Sequence, residues 1–215
     1  MAERKRPRRT RERILETSLA LFNRSGAPQV STADIADELN ISPGNLYYHF
    51  RNKDEIVGEL FAAGEARLMP LLADPKDRRI GVEDLWLWLH LLFERMWEYR
   101  FLYRDIDALT GHDRRLAVRF GALLRQCVAT VGGLCRSMVA GGSMAASERE
   151  IAALAHNAVL VTTYWPSFER VRHAERDEQA NVDAGRVGYQ VLSLFAPYLA
   201  GEARAQLDRI AADYL

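Results

Sequence analysis

The chain has 215 residues, 48% hydrophobic and 27% charged, with 29 basic and 29 acidic side chains and so no net charge. This length suits one domain, or a small domain followed by a larger one. No run reaches the roughly 18 apolar residues of a membrane span, and no apolar stretch follows the N-terminal arginines as a signal peptide requires. The two cysteines, Cys127 and Cys135, sit too far apart along a helical pattern to bridge. Together these features predict a cytoplasmic protein.

Charge is unevenly spread. Residues 1–53 hold ten Lys or Arg against six Asp or Glu, a balance of +4, which leaves −4 for residues 54–215. Arg4, Lys5, Arg6, Arg8, Arg9, Arg11 and Arg13 crowd the first thirteen positions, with Pro7 set against early helix formation. Residues 1–9 are expected to form a basic flexible arm. Such an arm would bind phosphates with counterion release and could reach a minor groove; the plain alternative is a solvated tail.

Two short helices with a tight turn are predicted between residues 31 and 53. Ser31 or Thr32 caps the first, with Asp34 in its first turn, where a carboxylate complements the helix dipole. Ile35, Ala36 and Leu39 form its buried face, and Asn40 stands where a left-handed residue is wanted. Ser42 caps the second helix and Pro43 takes its first position. Asn52 followed by Glu55 marks a third start. This is the layout of a helix-turn-helix.

In the second of these helices Leu46 and Phe50 point inward. Pro43, Gly44, Asn45, Tyr47, Tyr48 and His49 then face outward or sideways. Asn45 can pair with a base edge, and the tyrosine rings can touch thymine methyls or phosphates. His49 and Lys53 suit phosphate oxygens. The alternative is that Tyr47 and Tyr48 are packing residues.

The run from Thr10 to Val57 resembles the DNA-binding domain of the TetR family of bacterial transcriptional regulators. Thr10 to Leu15 with Leu21, Phe22 and Gly26 resembles that family's first helix. Asp34-Ile35-Ala36 resembles its second, and Leu46 to Phe50 with Asn52-Lys53 its recognition helix and the start of the fourth. The likeness covers about the first quarter of the chain. It implies that Thr32, Tyr47, His49 and Lys53 contact the DNA backbone, while Pro43, Gly44, Asn45 and Tyr48 lie near base edges. Arg8 and Arg9 join this set from the arm. Asn40 replaces the family's usual glycine. Ala33 stands where some members carry a base-contacting arginine, which shifts base reading toward the recognition helix.

Beyond residue 53 the pattern is helical almost throughout. Helices are predicted near 53–73, 82–99, 101–110, 113–140, 147–172, 185–199 and 201–214, with Pro70 and Pro197 ending or kinking two of them. The expected breaks are 73–77, Gly111, Gly141-Gly142-Ser143 and the charged stretch 174–184. The chain therefore reads as all-α. A three-helix DNA-binding domain at 10–53 precedes a larger ligand-binding and dimerisation domain at 54–215, with helix 53–73 shared.

Helix 82–99 is rich in rings. Trp86, His90, Phe93 and Trp97 recur along one face, and Tyr103, Tyr164 and Phe168 add to them. Aromatic walls with a few polar groups line small-molecule pockets. These seven are candidate effector contacts, for an apolar or aromatic molecule, and filling a large core is the alternative. In helix 147–172 Ala155, Ala158 and Thr162 make a small flat face, with Pro166 expected to kink the helix. In helix 185–199 Val187, Val191, Leu194, Phe195 and Tyr198 make an apolar stripe. The family resemblance implies that such helices pair with those of a second subunit, and these eight residues are the candidate dimer face. A two-fold dimer would set two recognition helices about 34–36 Å apart on a palindrome. The alternative is that the stripes face the subunit's own core.

No enzyme or cofactor site emerges. His90, His112, His156 and His173 lack metal-ligand spacing with acids or cysteines, no metal or cofactor is expected, and Cys127 and Cys135 read as small core residues. The favoured function is a homodimeric repressor released from a palindromic operator by a small molecule. Two alternatives are a ligand-dependent activator or co-repressor-type regulator of the same fold, and a small-molecule carrier or enzyme with a relic helix-turn-helix.

Overall fold

A computed structural model describes residues 7–73, 80–172 and 184–212, and their regular elements are all helical. In chain order these are α1 (Pro7–Ser25), α2 (Thr32–Glu38), α3 (Pro43–His49), α4 (Lys53–Leu68), α5 (Val82–Glu98), α6 (Arg100–Arg104), α7 (Ile106–His112), α8 (Arg114–Ala140), α9 (Glu148–Arg172), α10 (Ala184–Phe195) and α11 (Glu202–Ala212). Short 3-10 turns at Ala27–Gln29, Met69–Leu72 and Ala196–Tyr198 join some of them. The chain divides into two compact units, Met1–Ala66 with Glu98–Arg119, and Arg67–Trp97 with Phe120–Leu215.

The first unit is organised by α1. Ile14, Ser18, Leu21 and Phe22 fall at helical spacing and are all buried, as one face of an amphipathic helix must be. Pro7 is already helical, where the sequence had set it against early helix formation. Pro7–Arg9 of the expected flexible arm are therefore helical, while residues 1–6 lie outside the described residues. Arg11 is no free arm charge either. It pairs with Glu59 of α4, and its guanidinium sits 4.8 Å from the Phe50 ring centroid.

A second feature of this unit is the segment Glu98–Arg119, expected from the sequence to belong with the larger domain. Asn23 at the end of α1 donates to Glu98 O at 2.9 Å and accepts from Phe101 N at 3.1 Å. Arg104 donates to Phe22 O at 2.6 Å and to Asn23 O at 3.1 Å, so its guanidinium holds carbonyls in the last turn of α1. Asp105 holds Arg104 and also accepts from Ala27 N at 2.8 Å. The Phe22 and Phe101 rings lie 5.2 Å apart beneath this network. Gly26 adopts φ +94°, and a Cβ there would come within 3.3 Å of Arg104 Nη2.

The second unit is a helical stack. Leu85, Leu89, Leu92, Phe93 and Met96 of α5 are buried. Pro70 ends α4 in a 3-10 turn whose carbonyls find side-chain donors. Leu71 O accepts from Trp88 Nε1 at 2.7 Å, and Leu72 O from Thr130 Oγ1 at 3.0 Å and Gln126 Nε2 at 3.2 Å. Pro197 ends α10 in the same manner. Residues 143–145 pair with 198–200 through Ala145 N to Tyr198 O at 2.8 Å and Ala200 N to Ser143 O at 3.1 Å. Burial pushes the Cys127 and Cys135 thiols up to about 11, which keeps both protonated and poorly nucleophilic at neutral pH.

Several sequence expectations are corrected here. The helix expected at 101–110 is two, α6 and α7, meeting at Asp105. Helix α7 runs through Gly111, and the break falls at Asp113, which instead caps α8 through Arg115 N at 2.7 Å. The expected break over 174–184 lies mostly outside the described residues.

The residues expected at the dimer face are mostly covered within the chain. α9 and α10 pack on each other within the chain. Ala155, Ala158, Thr162, Val187, Val191 and Phe195 are buried, and Leu194 and Tyr198 are half-buried. Small residues suit close packing, and here they are buried within one chain. The surface of α9 instead carries Leu160, Tyr164, Phe168 and Val171, all exposed.

Candidate nucleic-acid interface

Local chemistry fixes the two helices. Ser31 caps α2 by accepting from Asp34 N at 3.1 Å, while Asp34 accepts from Ser31 N at 2.7 Å, a reciprocal capping box. The Ser31 backbone N–H, and next its hydroxyl, hold the Asp34 carboxyl below its ordinary value. At the other end Asn40 N donates to Asp37 O and Ile41 N to Ala36 O, both at 3.0 Å. Asn40 has φ +51°, the only non-glycine with positive φ among the described residues. That is a Schellman stop with asparagine in the left-handed position. Ser42 Oγ then accepts from Asn45 N at 3.3 Å to cap α3, with Pro43 first in the helix. Asn52 Oδ1 accepts from Glu55 N at 2.9 Å to start α4.

Those caps aim α3. Leu46 and Phe50 are buried, each stabilising the packing by about 1.5–3 kcal/mol. The opposite face is left to solvent. Pro43, Gly44 and Asn45 are exposed, Tyr47 is 52% exposed and Tyr48 79%. A tyrosine so open contributes little to a core. Tyr47 Oη lies 3.1 Å from Thr32 Oγ1, so the hydroxyls expected at the DNA backbone meet where α2 and α3 converge. Ala33 is exposed on α2, and the His49 ring, half-buried, stands edge-on to Tyr48 with centroids 5.1 Å apart.

Lys53 has a different partner from the one expected. Its ammonium donates to Ala27 O at 2.8 Å and Val30 O at 3.0 Å. Two of its three donors thus staple α4 to the turn before α2, leaving one for a phosphate. Arg9 is exposed on α1, and the Arg8 side chain lies outside the described residues.

Four of the residues expected to bind an effector lie on α5. Trp86 and His90 stack on α5 with centroids 5.4 Å apart, and His90 Nε2 lies 3.5 Å from Glu94. Phe93 is buried and Trp97 half-buried on the same helix. Tyr103 belongs instead to the unit carrying the helix-turn-helix, because the chain turns at Tyr99 and packs α6 against α1. Tyr164 and Phe168 are exposed on α9, whose inward positions are taken by Thr162 and Thr163. Sequence reasoning missed the Arg104 network and the outer stripe of α9. The first has no local signal, whereas the second was visible as apolar residues at 160, 164, 168 and 171.

Two capped short helices, the second exposing polar and aromatic groups from a buried base, define a helix-turn-helix DNA-binding protein. The chain belongs to the TetR family. A model of bacterial regulatory proteins of the tetR family matches residues 14–60, and one described as a bacterial transcriptional repressor matches 65–207. A TetR-family transcriptional regulator from Marinobacter aquaeolei VT8 is 34% identical, with 95% of this chain and 98% of that one aligned at a TM-score of 0.84. The probable acrEF/envCD operon repressor of Escherichia coli K12 is 36% identical over 53 residues, 25% of this chain and 24% of that protein. The match thus spans about a quarter of that relative's length. The SmeT–triclosan complex shares the fold at 21% identity and a TM-score of 0.60, over 89% of this chain and 92% of the other. That family is one of bacterial transcriptional regulators. Among the described residues no helix is long and apolar enough to cross a membrane.

Proposed function

We propose that this protein acts as a homodimeric repressor on a palindromic operator and is released by a small apolar or aromatic molecule. The exposed outer face of α3 carries the proposal: Asn45 and Tyr48 stand free for base edges, flanked by the Thr32–Tyr47 hydroxyls for phosphate. One such helix reads few bases, so two-fold pairing is needed for a specific site. The outer stripe of α9 supplies an unburied apolar surface on which a second copy can pack. Within the second unit Trp86, His90, Phe93 and Trp97 of α5 are the effector contacts. SmeT, which binds triclosan, offers a precedent in the same fold. Effector binding favours a conformation whose recognition helices no longer match one turn of DNA, and affinity falls by the difference in effector affinity between the two states.

Selection from random duplex DNA with the unliganded protein tests this directly. The expected product is a palindrome with half-sites about one turn apart, and Tyr48→Ala should weaken its binding and relax one position. A non-palindromic product, or none, overturns the reading. Operator affinity that rises with effector would reverse the sign and identify a ligand-dependent activator or co-repressor-type regulator.

A further inference from the structure

The unit that carries the helix-turn-helix also contains a recess of about 280 Å³. Its apolar lining is Ala27 and Pro28 of the turn before α2, Val57 of α4, Ala108 and Leu109 of α7 and Leu116 of α8. An apolar cavity of about 150 Å³ accepts benzene, so this one has room for a single ring and a polar substituent. Its polar lining is Lys53, Asp54, His112 and Asp113.

The bonding state of that polar lining selects the chemistry of an occupant. Lys53 spends two donors on Ala27 O and Val30 O. Asp113 commits Oδ1 to the α8 amides of Arg115 and Leu116, which leaves its other oxygen for a ligand. Asp54 Oδ2 lies 3.5 Å from His112 Nε2, both side chains being well exposed, a separation beyond a normal hydrogen bond. The capacity left over lies in the Asp54 and Asp113 carboxylate oxygens, one Lys53 donor and the His112 ring, and of these the two carboxylates accept hydrogen bonds and favour positive charge. We propose that this recess binds a small aromatic molecule bearing a hydrogen-bond-donating cation, an amidinium or primary ammonium, with the ring on Val57 and Leu109 and the cation between Asp54 and Asp113.

The position gives such binding a consequence. An occupant would touch the turn before α2, the first turn of α4 and the α7–α8 corner at once, and so bias the elements that hold α2 and α3. This consequence rests on the DNA-binding reading above; the binding itself does not.

Benzamidinium is the probe, titrated calorimetrically into the full-length protein at neutral pH, with benzamide and benzoate as matched neutral and anionic rings. Saturable binding, at least about tenfold weaker for benzamide and lost for benzoate, is expected. Ala108, exposed on α7 at the recess, is changed to Trp to fill the space and should abolish binding while the thermal midpoint holds. Asp54→Asn removes one partner without altering shape, should weaken binding about tenfold, and decides the matter alone if Ala108→Trp misfolds. No saturation, equal binding of benzoate, or binding indifferent to both substitutions overturns the site. Benzamidinium should also change operator affinity in the parent protein and not in Ala108→Trp. Binding with unchanged operator affinity removes the regulatory consequence and leaves the site, and failure to recover an operator defeats the DNA-binding reading while leaving the calorimetry intact.

Discussion

Asn40 shows how one side chain sets the geometry of the reading head. Its φ of +51° turns the chain out of α2 so that Ile41 can bond back to Ala36. A β-branched residue there meets a steric penalty of about 1–2 kcal/mol, whereas glycine does not. Asn40→Val should therefore lower unfolding free energy by about that amount in urea titrations, and Asn40→Gly should leave it unchanged or slightly raised. Equal stability of the two variants would mean the turn relaxes some other way. Asp34 carries a pH signature. Its carboxyl is held below the ordinary value by Ser31, so its folded-state pKa lies below the unfolded one. The stabilisation is complete above the unfolded pKa and is lost as pH falls through the folded one. Asp34→Asn should flatten the acid limb of the stability profile, and an unaltered profile would show that the capping box breaks before the carboxyl titrates. Both features were legible from Ser31, Asp34 and Asn40 because caps are local. The role of Lys53 was not, since its acceptors lie 23 and 26 residues away and are backbone atoms that look the same at every position.

At the scale of elements the same distinction decides what could be read. Capped starts and proline stops placed α2, α3, α4 and the end of α10. The attachment of α6 to α1 depends on Arg104 reaching carbonyls 81 and 82 positions away, and nothing near Arg104 announces that partner. Burial matters here, because the Arg104 and Asp105 side chains are only 18% and 12% exposed, so the pair is largely shielded from solvent. Arg104→Met leaves the Phe22 and Asn23 carbonyls without their charged donor and Asp105 without its cation. The expected loss is about 2–3 kcal/mol, read as a lower urea midpoint with unchanged slope. A wild-type midpoint would show that water or neighbouring amides replace the guanidinium. α9 gives the complementary lesson. It is apolar on two sides, so periodicity alone could not say which stripe faces inward. The small residues Ala155, Ala158 and Thr162 look like an interface because they permit close approach, and they are buried within the single chain.

For the whole molecule, the two stripes of α9 make opposite predictions about assembly. Leu160, Tyr164, Phe168 and Val171 recur at i, i+4, i+8 and i+11 on the outside, with Phe168 53% and Val171 70% exposed. A charge at Phe168 costs the isolated subunit little, because the ring is not part of its core. In a homodimer built on this stripe the same charge would be buried against a copy of itself, and the two-fold axis doubles the penalty. Phe168→Glu should therefore yield a folded monomer by sedimentation, with a thermal midpoint near that of the parent measured at low concentration. Val191→Glu is the contrasting change. Val191 is fully buried on α10, so a carboxylate there should unfold the domain before it alters any interface. If the dimer spaces two recognition helices on one operator, the monomeric Phe168→Glu protein should bind a half-site as well as the parent does. It should lose most of its advantage on the full palindrome, because the second half-site is no longer bound as part of the same particle. A Phe168→Glu protein that remains dimeric and keeps its operator affinity would move the interface off the outer face of α9.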